Sequence, residues 1–291
     1  MATRSEWVSA ARPRTLPAAA ASVLLGTGGA AYVGQANALF ALLAVGVALT
    51  IQIGVNYAND YSDGIRGTDQ FRVGPARLTA SGRAAPREVK RAALLCFGLS
   101  AVFGLVLVAL SNSWPLVAVG VLSLLAAWFY TGGKNPYGYL GLSEPILFVT
   151  FGWFATLGTT WTQAHSLPWP VWLGASGSGL LSCALLMVNN LRDIPTDAAA
   201  GKHTLAVRLG DRRSRRLYAG YLGVALLLGL ACIPATGWAA LVLLLVPPAT
   251  ILALGVFAGA RGRLLLPALT GTGLLILGYC VLLGIALAAA N

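Results

Sequence analysis

Charge is what this sequence has least of. Only 10% of its 291 residues are Asp, Glu, Lys or Arg, against about a quarter in an ordinary soluble domain. That shortage excludes a water-soluble globule. Acids are the scarcer sign, nine in all, and the stretches "SNSW" at 111–114 and "QAHSLPWP" at 163–170 contain none. Cysteine is nearly absent too: Cys96, Cys183, Cys232 and Cys280 are scattered with no CxxC spacing. This excludes a disulfide framework and a thiolate metal site, and leaves them as small apolar residues. No low-complexity tail and no separate soluble domain stand out.

What the chain has in abundance is apolar length. Apolar residues make up 57% of it and its mean hydropathy is +0.75. Stretches able to cross about 30 Å of hydrocarbon at about 1.5 Å per residue fall near 16–34, 38–59, 92–111, 115–131, 143–163, 170–190, 217–235, 238–258 and 266–289. These nine windows predict an all-α polytopic membrane protein, residues 1–291 forming one transmembrane domain. Gly and Ala are frequent in them, as suits helices that approach closely.

The basic residues sort cleanly among the nine windows. All 20 Lys and Arg fall before the first window or in alternate connections, densest around 66–91 and 192–216. By the positive-inside rule that side is cytoplasmic, so the N-terminus is inside. The net charge of +11 is therefore topology, with no nucleic-acid partner required. Attraction to anionic headgroups of the bilayer follows. Reading the N-terminus as a signal peptide would leave eight spans and destroy this sorting. The nine acids share the basic side, so the chemistry faces the cytoplasm.

Two apolar runs end in the same way. "GVNYANDYSDGIRGTD" at 54–69 closes with Asn56, Asn59, Asp60, Asp63 and Asp69; "MVNNLRDIPTD" at 187–197 closes with Asn189, Asn190, Asp193 and Asp197. Asn56, Asp60 and Asp63 are spaced by four and three, which stacks them on one helix face if the helix continues that far. Asn189 and Asp193 repeat the spacing of four. Pro195 predicts that the second helix ends or kinks near Asp193, leaving Asp197 on a turn. Carboxylates gathered at a helix C-terminus repel one another and the helix dipole, so a cation must offset them.

Oxygen-only donors suit a hard cation, and few carboxylates with room for water suit Mg²⁺ better than Ca²⁺. Mg²⁺ so held normally completes its shell with phosphate. Arg66, Arg72, Lys134, Lys202 and Arg208 are nearby cations able to clamp the remaining phosphate charge. A diphosphate with an apolar tail, a polyprenyl diphosphate, combines these requirements. A cation transporter using the clusters as ion sites is the rival reading, although it would more often place its acids near mid-bilayer.

In combination and order, "ARPRTLP" at 11–17, "NYANDYSDGIRGTD" at 56–69, "RVGPARL" at 72–78, "YTGGKNPYGYLGLSE" at 130–144 and "NNLRDIPTDAAAGKHTLAVRLG" at 189–210 resemble the UbiA superfamily of intramembrane aromatic prenyltransferases. Within it they are most similar to the bacterial branch that prenylates 1,4-dihydroxy-2-naphthoate. The resemblance implies nine helices around a central cavity, capped by cytoplasmic loops at about 60–91, 131–143 and 191–216. It implies one Mg²⁺ held by Asn56, Asp60 and Asp63, and another by Asn189 or Asn190 with Asp193 and Asp197. Asn59, Arg66, Arg72, Lys134 and Lys202 would add diphosphate contacts, and Tyr130 or Tyr137 would position a ring hydroxyl. The implied reaction joins the prenyl group to the naphthoate with loss of CO₂, giving demethylmenaquinone; other branches of the superfamily would share the metal site and differ in the acceptor. One departure is local: a further acid expected four residues after Asp63 is Gly67 here, with Asp69 two residues on.

Overall fold

The computed structural model describes residues 2–67 and 77–290, and among them every regular element is helical. A short helix α1 (Arg4–Ala10) opens the chain, its first turn closed by a capping box between Thr3 and Glu6. There follow α2 (Leu16–Ala31), α3 (Ala38–Arg66), α4 (Pro86–Leu110) and α5 (Leu116–Phe129). Next comes a rod made of α6 (Ser143–Leu147), a π-helical stretch (Phe148–Phe154) and α7 (Ala155–Ala164), then α8 (Trp169–Ala199) and α9 (Leu205–Leu230). A 3₁₀ segment (Gly237–Leu245) runs into α10 (Val246–Phe257), and a shorter one (Gly262–Leu265) into α11 (Leu266–Ala288). Each apolar window of the sequence falls largely on helical chain. Five runs are long and apolar enough to cross a membrane: α3, α4, α8, the Gly237–Phe257 run and the Gly262–Ala288 run.

Small residues set the closest approaches. A methyl group on Gly28 of α2 would lie 2.3 Å from the Gly284 carbonyl of α11, and one on Gly152 would lie 2.8 Å from Gly179 Cα of α8. No side chain fits at these crossings, which is the usual device for joining helices where the surroundings are as apolar as the interface. Helix α3 lies along α4, α8 along α9, and α2 between α7 and α11. The largest apolar core gathers residues of α2, α8, α9 and α11, including Leu25, Leu181, Leu222, Tyr279 and Leu283. Large apolar side chains also face outward, among them Leu95, Leu243, Ile251 and Leu254, as a lipid-covered surface requires. Cys183, Cys232 and Cys280 are buried and all four cysteines are free.

Two local expectations are corrected. Helix α8 does not end near Asp193: it runs through Pro195 to Ala199, and Asp197 is on the helix, one turn beyond Asp193. Pro195 forfeits one backbone bond, to the Leu191 carbonyl, which the helix tolerates, and the Thr196 hydroxyl donates to the Asp193 carbonyl. Likewise, "DRRSRR" at 211–216 is not loop. It lies on α9 just past the bend at Gly210 (φ 73, ψ 170), where Arg215 Nε donates to Asp211 at 2.7 Å, four residues earlier. The connection between α8 and α9 thereby shrinks to 200–204.

Candidate active site

Helix α3 continues past its apolar run to Arg66, and Gly67 in the left-handed region (φ 73) closes it. Its last three turns thus carry four of the polar residues, all buried. Spacings of three and four keep all four within about 100° of one another around the helix, and the packing around α3 divides them between two surroundings. Asn59 and Asp63 face a small polar cavity of about 90 Å³, together with Asn189, Asn190, Asp193, Thr196 and Asp197 of α8. The walls are completed by Arg12, Arg77, Tyr130, Thr131, Gly138, Tyr139, Lys202 and Thr204.

The other two hold the surrounding chain. Asp60 accepts the backbone N–H groups of Leu78 and Thr79, one on each carboxylate oxygen, at 2.9 Å. It is fully buried and absent from the walls of the polar cavity. Asn56 donates from Nδ2 to the Ala11 carbonyl at 2.9 Å and to Thr15 Oγ1 at 3.2 Å. The expectation that Asn56, Asp60 and Asp63 present their ligands to one place is not met here. Asp60 secures the chain at 78–79, Asn56 secures 11–15, and Asp63 alone of the three reaches the polar cavity.

Asp63 sits amid cations. The Tyr139 hydroxyl donates to it at 2.6 Å, Lys202 Nζ lies 3.4 Å away and Arg77 Nη2 4.0 Å. Lys202 also stands over the Tyr139 ring, 4.6 Å from its centre. Across the cavity, Arg192 donates from Nε and Nη2 to the two oxygens of Asp193, at 2.7 and 2.5 Å, and from Nη2 to Asn189 Oδ1 at 2.9 Å. The mutual repulsion expected of these carboxylates is therefore offset by protein cations.

Other expected residues lie elsewhere. Arg66 is exposed and donates to the carbonyls of Thr131 and Gly133, pinning the 131–133 turn while Thr131 Oγ1 donates to Asn59 Oδ1 at 2.8 Å. Lys134 is exposed on that turn and lines neither cavity; chain geometry there carries it outward after the left-handed Gly133 (φ 80). The Tyr137 hydroxyl donates to the Ala126 carbonyl, and burial pushes its phenol well up, so it stays a protonated donor. Its ring meets that of Tyr130 edge-on at 5.6 Å. Arg72 and Asp69 lie outside the described residues.

Arg12, Arg77 and Tyr139 were not singled out by the sequence, although each belongs to a quoted motif. Arg12 has a left-handed backbone (φ 54, ψ 67), uncommon for a residue with a side chain. It turns the chain from α1 into α2 beside the polar cavity.

Beside that cavity lies a far larger one of about 1340 Å³, walled mainly by Ala, Val, Leu and Gly of α2, α3, α4, α5, α7, α8 and α11. Arg12, Asn59, Arg77, Tyr130 and Asn189 line both. The carboxylates Asp63, Asp193 and Asp197 line only the small one. The arrangement is a polar head site, rich in oxygen donors and cations, joined to a long apolar hold. Among the described residues no three His, Cys, Asp or Glu are grouped closely enough to enclose a metal ion. The donors around the polar cavity, carboxylate and amide oxygens alone, are nevertheless of the kind that a hard cation takes.

Residues 15–265 match the UbiA prenyltransferase family. A Mycobacterium tuberculosis protein named 1,4-dihydroxy-2-naphthoate octaprenyltransferase is 52% identical over 288 residues, 99% of this chain and 98% of that protein. An Escherichia coli protein of the same name is 42% identical over 219 residues, 73% of this chain and 71% of its own. Among solved structures, a UbiA homologue from Archaeoglobus fulgidus bound to GPP and Mg²⁺ superposes with a TM-score of 0.70 at 13% identity, covering 98% of this chain and 99% of that one. A UbiA homologue from Aeropyrum pernix in its apo form gives 0.68 at 16% identity, with 98% of each chain covered.

Proposed function

The chain belongs to the UbiA prenyltransferase family, and on that premise we propose that it transfers a polyprenyl group from polyprenyl diphosphate to 1,4-dihydroxy-2-naphthoate, with loss of CO₂, in a Mg²⁺-dependent step of menaquinone biosynthesis. Near-full-length identity of 52% to a protein of that name supports the acceptor. The observation that carries the chemistry is the junction of the two cavities. A diphosphate head fits the cation-lined polar site, its isoprenoid tail the 1340 Å³ hold, and the reacting allylic carbon falls where Arg12, Asn59, Tyr130 and Asn189 line both.

In this reading, Asp63, Asp193 and Asp197, helped by Asn59, Asn189 and Asn190, would hold Mg²⁺, whose charge would offset that of the diphosphate and of its departure. Lys202, Arg77 and Arg12 donate to the diphosphate oxygens. As the allylic C–O bond breaks, its electron pair moves onto the departing diphosphate, and cations already aimed there stabilise that state more than the ground state. The apolar walls exclude water from the allylic cation, and the Tyr130 ring faces it. A ring carbon of the naphthoate supplies the pair for the new C–C bond. The carboxylate leaves as CO₂ with its bonding pair remaining on the ring, yielding the reduced form of demethylmenaquinone.

The topology belongs to the same proposal. Residues 1–291 form one domain of nine membrane-spanning helices in a bacterial inner membrane, with the N-terminus and the site on the cytoplasmic side. Support comes from the apolar windows and from the sorting of every Lys and Arg to one side. The test is purified protein in nanodiscs with polyprenyl diphosphate, 1,4-dihydroxy-2-naphthoate and Mg²⁺, following prenylated naphthoquinone and diphosphate. Product that disappears with EDTA supports the reading. Diphosphate released without naphthoquinone product moves the acceptor to another branch of the family, and no turnover with any diphosphate refutes the reading.

A further inference from the structure

Most glycines in the bundle are explained by packing: a methyl group on Gly26, Gly28, Gly152, Gly177 or Gly179 would collide with the neighbouring helix. Others are not, among them Gly98 of α4, Gly220 and Gly223 of α9 and Gly255 of α10, which are open but line neither cavity. Gly104 of α4, Gly120 of α5, Gly158 of α7 and Gly273 of α11 are also free of close packing and line the large cavity. A Cβ on Gly120 or Gly158 meets no heavy atom within 4 Å, and one on Gly104 meets only Val47 Cγ2 at 3.8 Å. Glycine is the poorest helix former after proline, so a helix-interior glycine without a close neighbour weakens the helix and gains no packing in return. What these four leave behind is space in the cavity.

Their depth tells which part of a ligand would use that space. The polar site is at the ends of α3 and α8 and under the 131–142 connection. Gly104 lies 18 residues beyond Pro86, about 27 Å along α4, and Gly158 lies 15 residues beyond Ser143, about 22 Å along its rod. Gly120 is four residues from the opposite end of α5. These three border the end of the hold remote from the carboxylates.

We propose that Gly104, Gly120 and Gly158 determine the length of isoprenoid tail the protein accepts, by leaving open the remote end of the cavity where the distal units of a long tail lie. The inference rests on the prenyl-transfer reading and adds its chain-length specificity. A short tail ends before it reaches them; a long one occupies the volume that a side chain there would fill. Filling it is overpacking against the ligand, whose cost falls on long donors alone.

The test compares geranyl and octaprenyl diphosphate with 1,4-dihydroxy-2-naphthoate and Mg²⁺ in nanodiscs, reading the ratio of kcat/KM for the long donor to that for the short. Gly104→Phe and Gly158→Phe should lower the ratio at least about tenfold, and Gly158→Ala by no more than about threefold. Gly98→Phe, also on α4 and open but outside the cavity lining, should leave the ratio as in the wild type. Should the Phe variants fail to fold, Gly104→Leu and Gly120→Leu decide by the same ratio. An unchanged ratio in the cavity variants, or an equal fall in Gly98→Phe, overturns the inference. Wild-type protein inactive with both donors would instead overturn the prenyl-transfer reading itself.

Discussion

The two acidic helix ends look alike as sequence and behave differently as structure. At the end of α8, Asn189, Asp193 and Asp197 keep one stripe, and all three line the polar cavity. At the end of α3 the acids part: Asp63 faces the cavity, and Asp60 turns behind it to take the amides of Leu78 and Thr79. An Asn plus two Asp within nine residues can thus all border one cavity or divide between cavity and scaffold. Which occurs depends on what the neighbouring chain needs. Residues 77–84 carry no helix of their own, and buried backbone N–H groups there require acceptors, which Asp60 provides.

The largest effect that could break this comparison is expected at Asp63. Asp63→Ala should reduce prenyl transfer by about 10³-fold, in line with losing a principal electrostatic group of a reaction centre. Asp60→Ala should do the reverse in emphasis. It removes two hydrogen bonds to a charged group, costing about 3 kcal/mol, so the thermal midpoint falls and the 77–84 segment becomes accessible to protease. Equal loss of activity in both, at unchanged stability, would erase the distinction.

At α8 the comparison sharpens through Arg192. Arg192→Ala leaves Asp193 buried without its guanidinium, a change worth about 3–5 kcal/mol when a buried pair is broken. Added Mg²⁺ should restore part of the lost stability, read as a Mg²⁺-dependent rise in melting temperature absent from Asp193→Asn. Lys134→Ala should alter turnover by less than about twofold, since removing an exposed charge away from a site has little effect; a tenfold loss would put Lys134 back among the diphosphate ligands.

How much of this was legible beforehand depended on the kind of signal. Apolar length placed the helices, because the bilayer fixes a minimum span, and the paired Asn and Asp residues marked the ends of α3 and α8 that meet at the polar cavity. The stripe that faces inward was not legible. Spacings of three and four allow Asn56–Asp60 or Asn59–Asp63 equally, and only the packing of α3 against α4 and the 77–84 segment chooses. Arg12 escaped because its role follows from a left-handed backbone, which sequence seldom announces for a residue other than glycine. Pro195 misled because one lost backbone bond and one crowded carbonyl weaken a helix without having to end it.

The smallest expected effect lies on α9. Hydrogen bonds from Arg215 hold the Asp211 carboxyl below the usual range, with the charges of Arg215 and Arg261 helping and partial burial opposing. A depressed folded pKa gives stability that is present above the ordinary value of about 3.9 and lost as pH falls through the lower one. Asp211→Asn should therefore lower stability by less than about 1 kcal/mol at neutral pH, since the Asp211 side chain is 43% exposed and the buried Arg215 keeps the carbonyls of Val256 and Ala260 as acceptors. Thermal melts of the two proteins should converge as the pH falls into that acid range.

The division between Asp63 and Asp60 is tested most directly by turnover measured against Mg²⁺ concentration for the wild type, Asp63→Asn and Asp60→Asn. The structure predicts that Asp63→Asn raises the Mg²⁺ needed for half-maximal rate by at least about tenfold or abolishes turnover, and that Asp60→Asn keeps the wild-type Mg²⁺ requirement with a lower melting temperature. The reverse pattern, a shifted Mg²⁺ requirement in Asp60→Asn and none in Asp63→Asn, would contradict it.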